Sequence, residues 1–108
     1  MPCVALDGSA IKDWSAFHDQ CAERLGFPDF YGRNMDAWID CLTYVRDGDG
    51  MSRFVLGPKE VLDIEISDTE TFNKRAPEIL DALVECVAAV NQRHVAAGQL
   101  PAIHLVFL

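Results

Sequence analysis

A chain of 108 residues with a formal net charge of −8 has room for one modest core, and its field repels nucleic acid and anionic membrane alike. Half of the residues are hydrophobic and 24% are charged, a globular balance that excludes global disorder. The opening MPCVALDGSAIKDW has neither a basic start nor an apolar run of signal length, and no segment approaches membrane-spanning length. One soluble domain over residues 1–108, cytoplasmic and monomeric when unbound, is therefore expected.

In chain order, residues 2–6 (PCVAL) read as a short strand closed by the turn pair Asp7-Gly8. Asp13 can cap a helix to about Leu25, along which Trp14, Phe17, Cys21 and Leu25 recur at helical spacing, with Gly26 as its stop. An aromatic loop broken by Pro28 and Gly32 follows, and Asn34 is a good N-cap for a second helix from Met35 to about Arg46. The tract Asp47-Gly48-Asp49-Gly50 then forces a turn, and Phe54, Val55 and Leu56 read as an extended piece before Gly57-Pro58. In EVLDIEI, residues 60–66, Leu62, Ile64 and Ile66 fall on one side of a strand and Asp63 and Glu65 on the other. Ser67 or Asp68 caps a short helical segment toward Arg75, and Pro77 starts a long helix that runs toward Ala97 and stops at Gly98. AIHLVF, residues 102–107, is a third strand, apolar enough for a central or well-covered position. Crossovers of this length fit parallel pairing, so the expected fold is α/β: a small three-stranded parallel sheet packed by about four helices.

Cys3, Cys21, Cys41 and Cys86 are scattered among apolar neighbours without a CxxC pattern, and read as small core residues in a reducing compartment. His18, His94 and His104 have no second ligand three or four residues away, so neither a metal nor another cofactor is expected.

The second helix carries the feature that asks for an explanation. With Met35 at zero and about 100° per residue, Trp38, Cys41, Leu42 and Val45 fall between roughly 240° and 340°, a core-facing stripe. Asp36, Asp40, Thr43 and Asp47 gather between roughly 80° and 140°, with Ile39 at their edge near 40°. A solvated face accounts for Asp36, which the helix dipole favours near an N-terminus. It accounts less well for Asp40, a mid-helix residue that repels Asp36 by roughly 0.2–0.5 kcal/mol. An acidic recognition surface is the alternative. Catalysis by the pair is disfavoured: carboxylates on a convex helix are not shielded from water, no His or Lys lies beside them, and the chain has no phosphate loop, nucleophile elbow or metal motif. No catalytic residue is assigned.

The run from Phe27 to Thr43, FPDFYGRNMDAWIDCLT, resembles the loop and second helix of the barstar family, intracellular inhibitors of a secreted ribonuclease, barnase. Its pattern, aromatic-Tyr-Gly-x-Asn-x-Asp-Ala followed by Asp-Cys-Leu-Thr, is long and specific. The first strand, the Asp-Gly turn and the first helix correspond in order and length, and residues 76–85 are similar to the family's final helix. The resemblance implies three parallel strands and four helices. It also implies an inhibitor, an immunity protein that covers a basic nuclease active site with an acidic helix and the loop before it. Asp36, Asp40, Thr43 and Glu85 would be contacts, joined by Phe30, Gly32, Asn34, Met35 and Ile39. The carboxylates would then stand in for RNA phosphates on the nuclease's cationic groups.

Four departures accompany the resemblance. Phe30 stands where barstar itself has a tyrosine, and Arg33 replaces an acidic residue, which puts a positive charge beside the ridge. Trp38 and Ile39 exchange sizes, so that the tryptophan faces the core, and residues 46–60 and the stretch before the last strand are longer. Together they point to a cognate partner other than barnase. Two further readings stay open: a barstar-like module for a non-nuclease basic protein, and a small acidic enzyme or metal-binding domain.

Overall fold

The computed structural model describes residues 2–48 and 50–108. The chain runs β1 (Cys3–Asp7), a 3-10 turn (Gly8–Ala10), α1 (Trp14–Leu25), α2 (Met35–Thr43), β2 (Leu62–Ser67), α3 (Thr69–Arg75), α4 (Pro77–Ala96) and β3 (Ile103–Phe107). The three strands form one parallel sheet in the order β1-β2-β3, with Val4, Ile64 and Leu105 in register across it. The expected α/β architecture is the observed one.

Each element follows from local chemistry. Asp13 caps α1 by accepting from Ala16 N at 2.8 Å, and Gly26 closes it in the left-handed region at φ 67. A Cβ on Gly26 would lie 2.6 Å from Cβ of Arg53, so both the backbone conformation and the neighbour require glycine. Pro77 opens α4, where its missing N–H costs nothing. Alternation in β2 sends Leu62, Ile64 and Ile66 into the core and leaves Asp63 and Glu65 half-exposed. The buried residues form one cluster, drawn from the inner sheet face and all four helices and including Trp38, Phe17 and Phe72.

Several expectations are corrected. α2 stops at Thr43 rather than near Arg46, and residues 44–48 are turns. Val45 N bonds back three residues to Leu42 O, which tightens the chain out of the helix. Arg46 departs to donate to the carbonyls of Gly57, Glu60, Leu100 and Pro101. This one guanidinium thus ties the long segment after α2 to the chain entering β3. Asp49, part of the expected 47–50 turn, lies outside the described residues. The Phe54–Leu56 piece is not a strand; Leu56 is buried and its N donates to Val45 O at 2.9 Å.

Asp68 precedes α3 but is left-handed (φ 50) and makes no side-chain cap bond. β3 is an edge strand: β2 takes the centre, and the apolar Phe107 and Leu108 remain 51% and 65% exposed. Cys3 is exposed on the outer sheet face, its thiol donating to Glu65 Oε1 at 3.0 Å, while Cys21, Cys41 and Cys86 are buried. Strand alternation explains the difference, because Cys3 falls on the same side as Asp63 and His104.

Trp38 is fully buried, in phase with Cys41, Leu42 and Val45, and Ile39 is half-buried at the rim. The Trp38 Nε1–H has no hydrogen-bond partner of good geometry; the nearby Cys21 sulfur, a weak acceptor, interacts with it. Trp38→Ala is expected to lower the unfolding free energy by about 3–5 kcal/mol, and Ile39→Ala by well under half of that. Chemical denaturation of the two variants checks this, and equal losses would contradict the helix phase.

Candidate protein-binding face

The loop between α1 and α2 is held from beneath by aromatic packing. Tyr31 N donates to Pro28 O at 2.9 Å, closing a turn that buries the Tyr31 ring 4.7 Å from Phe27. The Tyr31 hydroxyl meets His18 Nδ1 of α1 at 2.7 Å, and the same imidazole stacks on Trp14. Burial pushes the Tyr31 phenol above its ordinary range; burial and then the Arg33 charge hold His18 below its usual 6.5. With Tyr31 turned inward, its neighbour Phe30 stands 76% exposed.

Asn34 fixes where α2 begins. Its Oδ1 accepts from Ala37 N at 2.8 Å, and its Nδ2 donates to Gly32 O at 3.2 Å. A Cβ on Gly32 would lie 3.2 Å from that Nδ2 and 3.5 Å from Cβ of Ala37, so a side chain there would press on the cap. Arg33 is left-handed at φ 53 and pairs with Asp19 at 2.8 Å, also donating to Ser15 O at 3.3 Å. Its charge is therefore engaged on α1, which corrects the expectation of a cation committed beside the ridge.

On α2 itself, Asp36 and Asp40 are exposed, and Met35, Ile39 and Thr43 are half-buried. Asp40 has a partner that sequence reasoning missed: Arg93 of α4 approaches its Oδ1 to 2.8 Å and Thr43 Oγ1 to 3.2 Å. Thr43 in turn donates to Ile39 O at 2.7 Å. This ion pair offsets the repulsion from Asp36 and gives Asp40 a role in the free protein. The pair is about half exposed on both sides, so it contributes about 0–1 kcal/mol.

Glu85 is exposed on α4, the helix packed against α2. The buried Cys86 thiol is pushed up first by burial, then by the charges of Glu85 and Asp36. Beside Asp40 lies a groove of about 190 Å³ lined by Phe30, Tyr31, Gly32, Cys41 and Met51. Two wider depressions, about 600 and 620 Å³, lie beside Asp19 and Arg33 and beneath β3, and neither includes Asp36 or Asp40. Among the described residues, no group of three His, Cys, Asp or Glu side chains is arranged to hold a metal. Among the same residues, no helix is long and apolar enough to cross a membrane.

All nine residues expected at the site lie on this loop, on α2 or at Glu85. Their roles divide, however: Asn34 and Gly32 shape the helix start, whereas Phe30, Asp36, Asp40 and Glu85 present exposed groups. Arg93, Met51 and the His18–Tyr31 pair were missed. Arg93 and Met51 reach the face from distant parts of the chain, and no local pattern marks them. Tyr31 sits within the motif, but its partner is thirteen residues upstream.

Exposed carboxylates on a surface helix suit contact with another macromolecule better than chemistry on an enclosed small molecule. The profile of the family described as Barstar (barnase inhibitor) matches residues 1–106, and the chain belongs to the barstar family. Members of that family are inhibitors, not enzymes, in line with the reading of the acidic pair. A Bacillus subtilis (strain 168) protein named "Putative ribonuclease inhibitor YrdF" is 45% identical over 40 residues, 37% of this chain and 44% of that relative's length.

His18 gives this face a pH dependence. Its folded pKa is lowered, so the unfolded chain takes up a proton first as pH falls. Stability is expected to be full above about pH 6.5 and to decline below it. His18→Gln should flatten that decline between about pH 6.5 and 5, where few carboxylates yet titrate. Thermal melting across that window checks the expectation.

Proposed function

We propose that this chain inhibits a basic ribonuclease, protecting the cell that makes it, by laying the loop around Phe30 and the acidic face of α2 over the enzyme's active site. The observation that supports this is the exposed pair Asp36 and Asp40 on α2 of a barstar-family domain, with Glu85 exposed on α4, the helix packed against α2. A ribonuclease holds RNA phosphates with Arg, Lys and His, and carboxylates so spaced offer those groups charge-assisted hydrogen bonds. Phe30 supplies an exposed ring beside the acidic ridge, and the groove at Asp40 admits a protruding side chain. The partner is basic and the free inhibitor monomeric.

Capture from the native lysate, comparing the chain with Asp36→Ala/Asp40→Ala, tests the reading. The wild type should retain a basic protein with ribonuclease activity and silence it. The double variant should bind more weakly by at least about 2–5 kcal/mol, a figure that comes partly from the barnase–barstar complex, this family's own type case, and is carried over from it. Capture of a basic protein without nuclease activity would point instead to a different cationic partner. Association should slow strongly as salt rises from 0.01 M to 1 M, because the screening length falls from about 30 Å to about 3 Å. Stopped-flow rates that stay flat over that range would exclude steering by the −8 charge.

A further inference from the structure

We propose that Arg93 is a built-in competitor at the partner-binding face: in the free protein it occupies the guanidinium site made by Asp40 and Thr43, and a partner must exchange its own cation for it. This rests on the reading of the α2 face as the surface that meets a cationic partner, and it concerns a residue outside the recognition loop and helix.

The geometry is that of a filled site. One guanidinium nitrogen of Arg93 lies 2.8 Å from Asp40 Oδ1 and 3.2 Å from Thr43 Oγ1. The Thr43 hydroxyl hydrogen is committed to Ile39 O at 2.7 Å, so the oxygen turns lone pairs toward the cation. The two side chains together form an acceptor-only pair one helical turn apart, which selects a donor cation.

The occupant is held loosely. Asp40 and Arg93 are 57% and 49% exposed, and Arg93 uses a single nitrogen on a single carboxylate oxygen. A partner arginine can engage both oxygens in a fork, which Arg93 does not do. A partner lysine brings one point charge and meets a competitor of equal charge already in place. Arg93 therefore acts as a competitor: it lowers the apparent affinity of the site for any outside cation by the same factor, and a bidentate guanidinium remains the tighter of the two ligands. Removing it would leave Asp40 open to either, with the Asp36 repulsion uncompensated.

The test needs no ribonuclease. The full chain, Arg93→Gln, Arg93→Gln/Asp40→Asn and Lys74→Gln are titrated with L-argininamide and with L-lysinamide at low salt, and binding is read from the NMR shifts of the Asp40 and Thr43 amides. Lys74 pairs with Glu70 on α3, and its variant matches the charge change away from this face. Arg93→Gln should bind both probes about two- to five-fold more tightly than the wild type, by the same factor for each. That gain should vanish with Asp40→Asn and be absent in Lys74→Gln. Arg93→Met, which keeps the aliphatic stem, should reproduce it and so separate loss of charge from loss of packing. The proposal is overturned if Arg93→Gln binds no more tightly than Lys74→Gln. Neither probe is a nuclease, so failure of the inhibitor reading would show separately, in the lysate capture.

Discussion

The Trp38 side chain lies wholly inside the core with Cys41, Leu42 and Val45. At 3.6 residues per turn, that burial fixes the rotation of α2. Asp36 and Asp40 are then carried to the outside, and Ile39 and Thr43 to the margins. A rotation by one residue would place Trp38 at the surface and sink a carboxylate among apolar side chains, at a cost far above anything the rim contacts could return. The start of the helix is fixed independently by the Asn34 cap, and the loop before it by Tyr31 packed against Phe27 and His18. The carboxylates of α2 are thus presented on an element whose orientation is set by buried packing and by the helix cap.

The arginines are engaged chiefly away from α2. Arg24, Arg46, Arg53 and Arg75 donate to backbone carbonyls, and Arg33 is held on α1 by Asp19. Of these five and Arg93, only Arg93 reaches a carboxylate of α2. Asp36 and Glu85 remain exposed. The same arrangement limits self-association through the exposed side of α2, since a second copy would present the same sign.

What the sequence made legible was periodic and local. The 3.6-residue spacing of α2 placed Trp38 inside and the two aspartates outside, and the period-two alternation of β2 sorted Ile64 from Asp63 and Glu65. Caps announced themselves at Asp13, Asn34 and Pro77. The misses had a common physical origin in contacts between residues far apart in the chain. Arg93 meets Asp40 across 53 residues, and the Arg46 guanidinium reaches Leu100 across 54. β3 reads as a covered strand because it is apolar, but its place at the edge is set by topology, which composition does not encode. Cys3 reads as core by its apolar neighbours, whereas the parity of β1 turns it outward beside Glu65.

The most direct test of this account is amide hydrogen exchange on the chain alone and in complex with the ribonuclease it captures. Protection should appear across residues 30–43 and around Glu85, the segments that form the acidic face, with little change in the outer sheet face at Cys3, Asp63 and His104. Protection centred on that sheet face or on the β3 edge, with α2 exchanging as in the free protein, would contradict the account.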